Sequence, residues 1–161
     1  MTFAPWNERQ TDFANYFNPG YLSILVYGII KGYNVTNGGM SLALVFPGVV
    51  MVLHPDIRNA LPRTIAARFS KWLRENPELR ADLLSSTEAL VPQMKEAVLT
   101  SLRAGWISTE MGRLVVTAKG PPILKTDKTF IEDQKVAAFV GKWFAKVGEE
   151  REIYQQIGIR P

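Results

Sequence analysis

The sequence predicts a mainly α-helical protein with a small β-hairpin wing, a helical domain related to the winged helix-turn-helix. Three observations carry that expectation. Apolar residues recur at helical spacing along much of the 161-residue chain. Asn-Pro pairs at Asn18-Pro19 and Asn76-Pro77 have the form of helix starts, a capping side chain followed by a residue with φ already set. Directly after a helical stretch that stops at Gly105, the pattern switches to two short β-prone runs.

Taken in order, Asn7 to Phe17 is a candidate short helix. From Asn18-Pro19 onward, Tyr21, Leu22, Leu25, Val26, Ile29 and Ile30 give a wide apolar face that ends near Gly32. Ser41 to Leu53 is apolar on both faces, so periodicity leaves two readings open: a hairpin turning at Pro47-Gly48, or a buried helix interrupted there. His54-Pro55-Asp56 begins a turn closed by Leu61-Pro62. Ile65, Phe69, Trp72 and Leu73 align as one stripe and predict a helix from Thr64 to Glu75.

Asn76-Pro77 opens the next helix, to about Leu90, and Val91-Pro92 predicts a boundary. Met94, Ala97, Val98, Ser101 and Leu102 form a second stripe, which Gly105 ends in the position a C-cap favours. Trp106-Ile107-Ser108 and Arg113-Leu114-Val115-Val116 then pair across Thr109 to Gly112 as the wing. The domain organisation predicted is a helical region with this wing over 1–117, a linker at 118–128 containing Gly120-Pro121-Pro122, and a C-terminal helix and tail over 129–161 packing on the same domain. In that last part Phe139, Val140, Trp143, Phe144 and Val147 line one helical face, and burying two adjacent large aromatics is worth several kcal/mol, so they should close the protein's own core.

Composition narrows the chemistry. With no cysteine, disulfides, thiolate metal sites and thiol nucleophiles are excluded, and a single histidine, His54, cannot build a zinc site of two or three imidazoles. A hydrolase triad would rest wholly on His54, which stands where an apolar run meets a proline and is better placed to satisfy a backbone group. No glycine has the spacing and following lysine of a P-loop. The expectation is therefore a protein without catalytic, metal or cofactor-binding residues, and Glu149, Glu150 and Glu152 read as solvated surface.

The net charge of +4 is concentrated in two moderately basic segments, His54 to Arg80 and Pro92 to Lys128. Lys95, Arg103, Arg113 and Lys119 are the candidate DNA contacts of a winged helix, but the recognition surface is thin, and a module turned to protein docking is the favoured reading. The N-terminus lacks a basic region followed by an apolar one, and Met40 to Leu53 is too short to span a bilayer, so a cytoplasmic protein with no membrane association is expected.

The order of landmarks carries a resemblance. Asn18-Pro19, Val52-Leu53-His54, Arg58, Leu61-Pro62, Trp72-Leu73, Glu75-Asn76-Pro77, Val91-Pro92, the helix into Gly105, Val140-Gly141-Lys142-Trp143-Phe144-Ala145-Lys146-Val147-Gly148 and the closing Ile159-Arg160-Pro161 follow one another over nearly the whole chain. In that order they resemble the middle component of bacterial three-component ABC-type systems, the Lamassu-like antiphage defence systems. The resemblance implies a small helical accessory subunit beside an SMC/ABC-type ATPase and a separate effector, often a nuclease, with ATP and Mg on the ATPase and DNA met through the complex. It favours the helical reading of Ser41 to Leu53, although Gly48 stands where similar proteins lead one to expect an aliphatic residue. Partner contacts are expected at His54, Arg58 and Arg63 and at Ile159, Arg160 and Pro161. The competing reading is a free-standing winged-helix transcriptional regulator that binds DNA.

Overall fold

The computed structural model describes residues 18–122 and 128–160; the expected helix within 7–17, part of the 118–128 linker and Pro161 lie outside the described residues. The first helix, α1 (Pro19–Asn34), starts where Asn18 Oδ1 accepts the N–H groups of Gly20 at 2.8 Å and Tyr21 at 3.4 Å. This leaves Leu22, Leu25, Val26, Ile29, Ile30 and Tyr33 on the buried face. α2 (Leu42–Leu53) is one helix with Pro47 inside it, so the hairpin reading falls. Proline removes only the N–H that would reach Ala43, whose half-exposed position in the first turn leaves that carbonyl near water. Gly48 also has its reason: a Cβ there would stand 3.2 Å from Ile29 Cγ2 and 3.5 Å from Phe144 Cε2, so the glycine makes room for both side chains. Leu44 to Val52 are all buried, yet among the described residues no helix is long and apolar enough to cross a membrane.

α3 (Pro55–Asn59) is followed by an irregular stretch, and α4 spans Phe69–Glu75 rather than starting at Thr64. Tertiary structure wins here over helical pattern. The Ala67 carbonyl, which a longer helix would commit to Lys71, instead accepts the Trp143 indole N–H at 2.7 Å. The Asn76 expectation is likewise corrected: its side chain does not cap the following helix but donates to the Trp72 carbonyl at 2.8 Å, closing α4.

α5 (Pro77–Arg103) runs 27 residues without the predicted break at Val91-Pro92. Pro92 deprives the Glu88 carbonyl of its intrahelical donor, but Glu88 is exposed and water can take that place. Met94, Ala97, Val98 and Ser101 are buried as the stripe predicts. β1 (Ile107–Glu110) and β2 (Arg113–Val116) pair antiparallel, Ile107 opposite Val116 and Glu110 opposite Arg113, around a two-residue turn. Met111 and Gly112 both have positive φ, 53° and 75°, the sense that suits the twist of a tight hairpin. Met40, between α1 and α2, adds a further antiparallel bridge to Leu114, with both N–H···O bonds at 2.8 Å.

The C-terminal helix is in fact two. α6 (Lys128–Val147) ends before Gly148, which adopts φ 85°, and α7 (Glu150–Ile157) ends at Gly158 in the left-handed conformation. α6 packs on α1 at very close range. A Cβ on Gly141 would fall 2.1 Å from the Ile29 carbonyl oxygen, and one on Gly32 2.3 Å from that of Ala138, so the two backbones touch where side chains normally intervene. Trp143 and Phe144 are each 1% exposed and close the core, as their spacing predicts. Phe69 meets Trp143 edge-on at 5.1 Å and Phe144 at 5.6 Å, and Trp72 meets Trp143 at 5.6 Å, geometries that add about 0.5–1.5 kcal/mol per pair beyond area burial. One continuous apolar cluster runs from Leu22 to Ile157.

Candidate functional site

The end of the chain is held in place by α5. Arg80 Nε donates to the Gln156 carbonyl, and the Gly158 and Ile159 N–H groups both reach the Tyr154 carbonyl, at 2.8 and 2.9 Å. The turn at Gly158 sends Ile159 and Arg160 along a groove of about 540 Å³ between the start of α2 and the middle of α5. Phe46 and Val91 give it apolar walls, while Glu88, Lys95 and Arg160 bring charge of both signs. Two predicted partner residues, Ile159 and Arg160, thus meet a predicted DNA contact, Lys95, in one concavity. Their sequence separation hid this.

The other predicted positions are spread apart. His54 forms the N-cap of α3, its Nδ1 accepting the Ile57 N–H across a long 3.4 Å, which matches the structural role anticipated for it. Arg58 turns inward to pair through Nη1 with Asp133 of α6, and the same nitrogen reaches the Val52 carbonyl at 3.4 Å. Arg63, Arg103 and Lys119 are exposed. Arg113 is engaged twice: Nε donates to the Gly39 carbonyl at 2.7 Å, and its guanidinium pairs with Glu150 Oε1 at 2.7 Å.

Two polar assemblies went unseen in the sequence. Asp133, only 5% exposed, accepts from Arg58 and from the Tyr21 hydroxyl; burial pushes its carboxyl above the ordinary range, and these two donors supply what a buried carboxylate needs. The second corrects the reading of Glu150 as solvated surface. Its side chain is 13% exposed and accepts the Ser41 N–H at 2.9 Å besides pairing with Arg113, so one carboxylate joins the start of α2, the wing and α7. Tyr154 Oη meets Ser41 Oγ, and burial raises the Tyr154 and Tyr33 phenols above their usual value. The signal missed was long-range: residues 39, 41, 113 and 150 have no common pattern in sequence.

The family model of the ABC-three component (ABC-3C) system middle component 3 matches residues 6–161. The chain belongs to that family. Membership makes this a middle component of a multi-component ABC system, with protein partners implied. No curated protein and no solved structure matches it. The groove beside the tail is concave, carries both apolar and charged lining, and is formed by three separate parts of the chain.

Proposed function

We propose that this middle component is a non-enzymatic accessory subunit that bridges an SMC/ABC-type ATPase and an effector, often a nuclease, in a cytoplasmic, Lamassu-like antiphage complex. The observation that carries the reading is the groove in which Ile159 and Arg160 lie beside Phe46, Val91 and Lys95. A docking segment with an apolar anchor and an acidic side chain suits it, the anchor replacing water on Phe46 and the acid meeting Lys95 or Arg160. His54 as a helix cap and Arg58 and Arg113 as internal ties each have a structural use, which supports a role other than catalysis for them. ATP and Mg then belong to the ATPase, and DNA is reached through the complex. The test is co-expression with the neighbouring ATPase and effector genes. A stable complex that Ile159→Asp and Arg160→Glu weaken is expected; a chain that elutes alone beside a folded ATPase overturns the proposal.

The winged-helix relationship is supported by the chain order of helix, Met40 bridge, helices and hairpin, with Met40 pairing to β2, the second hairpin strand. The regulator reading draws on the same order. It is weakened by Arg113, whose charge is spent on Glu150, and by Leu99, half exposed on the helix that would enter a groove of DNA. Direct duplex binding by the isolated chain, lost on Lys95→Gln with Arg103→Gln, would restore it.

A further inference from the structure

Residues 118–121 pass as a strap beside α1 and α6 and enclose a second groove of about 480 Å³. Among the described residues its lining includes three lysines, Lys31, Lys119 and Lys142, and no acidic residue. All three lysines are exposed, and among the described residues none lies within ion-pair distance of an acid. Three of the chain's positive charges, against a net charge of only +4, therefore line one concavity.

The groove is positioned by the fold. Thr117 Oγ1 donates to the Gly105 carbonyl at 2.6 Å and accepts the Lys119 N–H at 3.2 Å, which fixes the root of the strap. The Lys119 side chain lies over Gly105, and Gly120, at φ 51°, bends the strap onto the Tyr27 hydroxyl. Lys31 Nζ stands 5.9 Å from the centroid of the Tyr27 ring, which holds that ammonium near the groove. Gln134 adds an amide. Unpaired lysines on a concave surface without acids attract polyanions, and a volume of this size takes one nucleotide or a short stretch of a single strand rather than a duplex.

We propose that this groove binds phosphate groups, those of a single nucleic-acid strand or of a free nucleotide, gripped by Lys31, Lys119 and Lys142. The site goes beyond the bridging role and uses none of its residues, so the two stand or fall separately. The experiment is fluorescence anisotropy of the full chain with fluorescein-labelled oligothymidine across a salt series. Binding at low salt is expected, with a log–log salt slope of about −2, from roughly 0.7 per phosphate over three phosphates. The triple variant Lys31→Gln, Lys119→Gln, Lys142→Gln should weaken binding by at least about tenfold and flatten that slope. Its melting temperature should stay unchanged because the three side chains are exposed. Displacement of the strand by tripolyphosphate or ATP identifies a free phosphate chain as the ligand; displacement by unlabelled strand alone identifies nucleic acid. The proposal is overturned if neither probe binds at low salt, if the triple variant binds as well as the wild type, or if Lys95→Gln with Arg103→Gln abolishes binding instead.

Discussion

Gly141→Ala tests the close backbone approach of α1 and α6. In the middle of α6 an alanine should stabilise the helix by about 1 kcal/mol through propensity alone. Its Cβ, however, would stand 2.1 Å from the Ile29 carbonyl oxygen and 2.9 Å from the Tyr33 nitrogen, both backbone atoms that no rotamer change can move. Restoring an ordinary carbon–oxygen contact of about 3.3 Å requires α1 and α6 to part by about 1 Å. A gap of that size forfeits roughly a quarter to a half of each dispersion contact across the interface. Overpacking of this kind costs about 1–3 kcal/mol and sometimes more. The rigid neighbours place this site at or above the upper end, so the net loss should be about 2 kcal/mol or greater. At roughly 2–4 °C per kcal/mol for a chain of this size, the melting temperature should fall by about 4–12 °C. Thermal and urea unfolding followed by circular dichroism measure it. Gly32→Ala should behave alike, its Cβ meeting the Ala138 carbonyl oxygen at 2.3 Å. Gly28→Ala, whose Cβ meets the Ala137 methyl at 3.1 Å and the Gln134 carbonyl oxygen at an ordinary 3.8 Å, should stay within about 1 kcal/mol of wild type. A Gly141→Ala protein that melts at or above the wild-type temperature would refute the close-approach argument.

Three further outcomes are expected. Glu150→Ala should cost about 2–3 kcal/mol, since it strips the Ser41 N–H and leaves the Arg113 guanidinium unpaired. A double-mutant cycle with Arg113→Ala should return a coupling above about 0.5 kcal/mol, and additivity would deny the tie. Pro92→Ala should raise stability by about 1 kcal/mol or more, because it gives the Glu88 carbonyl a donor inside a continuous helix; a loss would mean the proline sets a bend the core requires. Tyr33 and Tyr154 should ionise above the ordinary phenol range of about 10, visible as late absorbance at 295 nm. With folded-state values raised, their stabilising contribution is complete below the unfolded-state value and is lost as pH rises through the folded-state one. Removing Tyr154 by Tyr154→Phe should delete one late-titrating phenol from the curve, and an unchanged curve would contradict its burial.

Much of the helical order was legible because it rests on local terms. The Asn18 cap, the α1 stripe, the Gly105 stop and the hairpin are all decided by residues within a few positions of one another. The Trp143-Phe144 pair was legible as core for a related reason: no exposed helix carries such a pair cheaply. Where the reading missed, a distant group had changed the local answer. α4 starts late because the Trp143 indole takes the Ala67 carbonyl, and Asn76 closes one helix instead of opening another. α5 continues through Pro92, where the residue whose carbonyl loses its donor, Glu88, is exposed.

The sites divide in the same way. Sequence alone determined the absence of cysteine, the single histidine, the ordered landmarks and hence the family, since these are properties of composition and of residues in line. Only the tertiary structure decided that Lys95 and Arg160 share a groove, that Arg58 pairs with Asp133 and Arg113 with Glu150, and that Lys31, Lys119 and Lys142 line one groove with no acid among its described residues. Gly141 belongs to both parts. Its place in the signature was plain in the sequence, but the reason for a glycine there is the Ile29 carbonyl of another helix, more than a hundred residues away along the chain. Local propensity is short-ranged and can be read along the chain, whereas charge pairing and backbone contact depend on distances that exist only after the chain has folded.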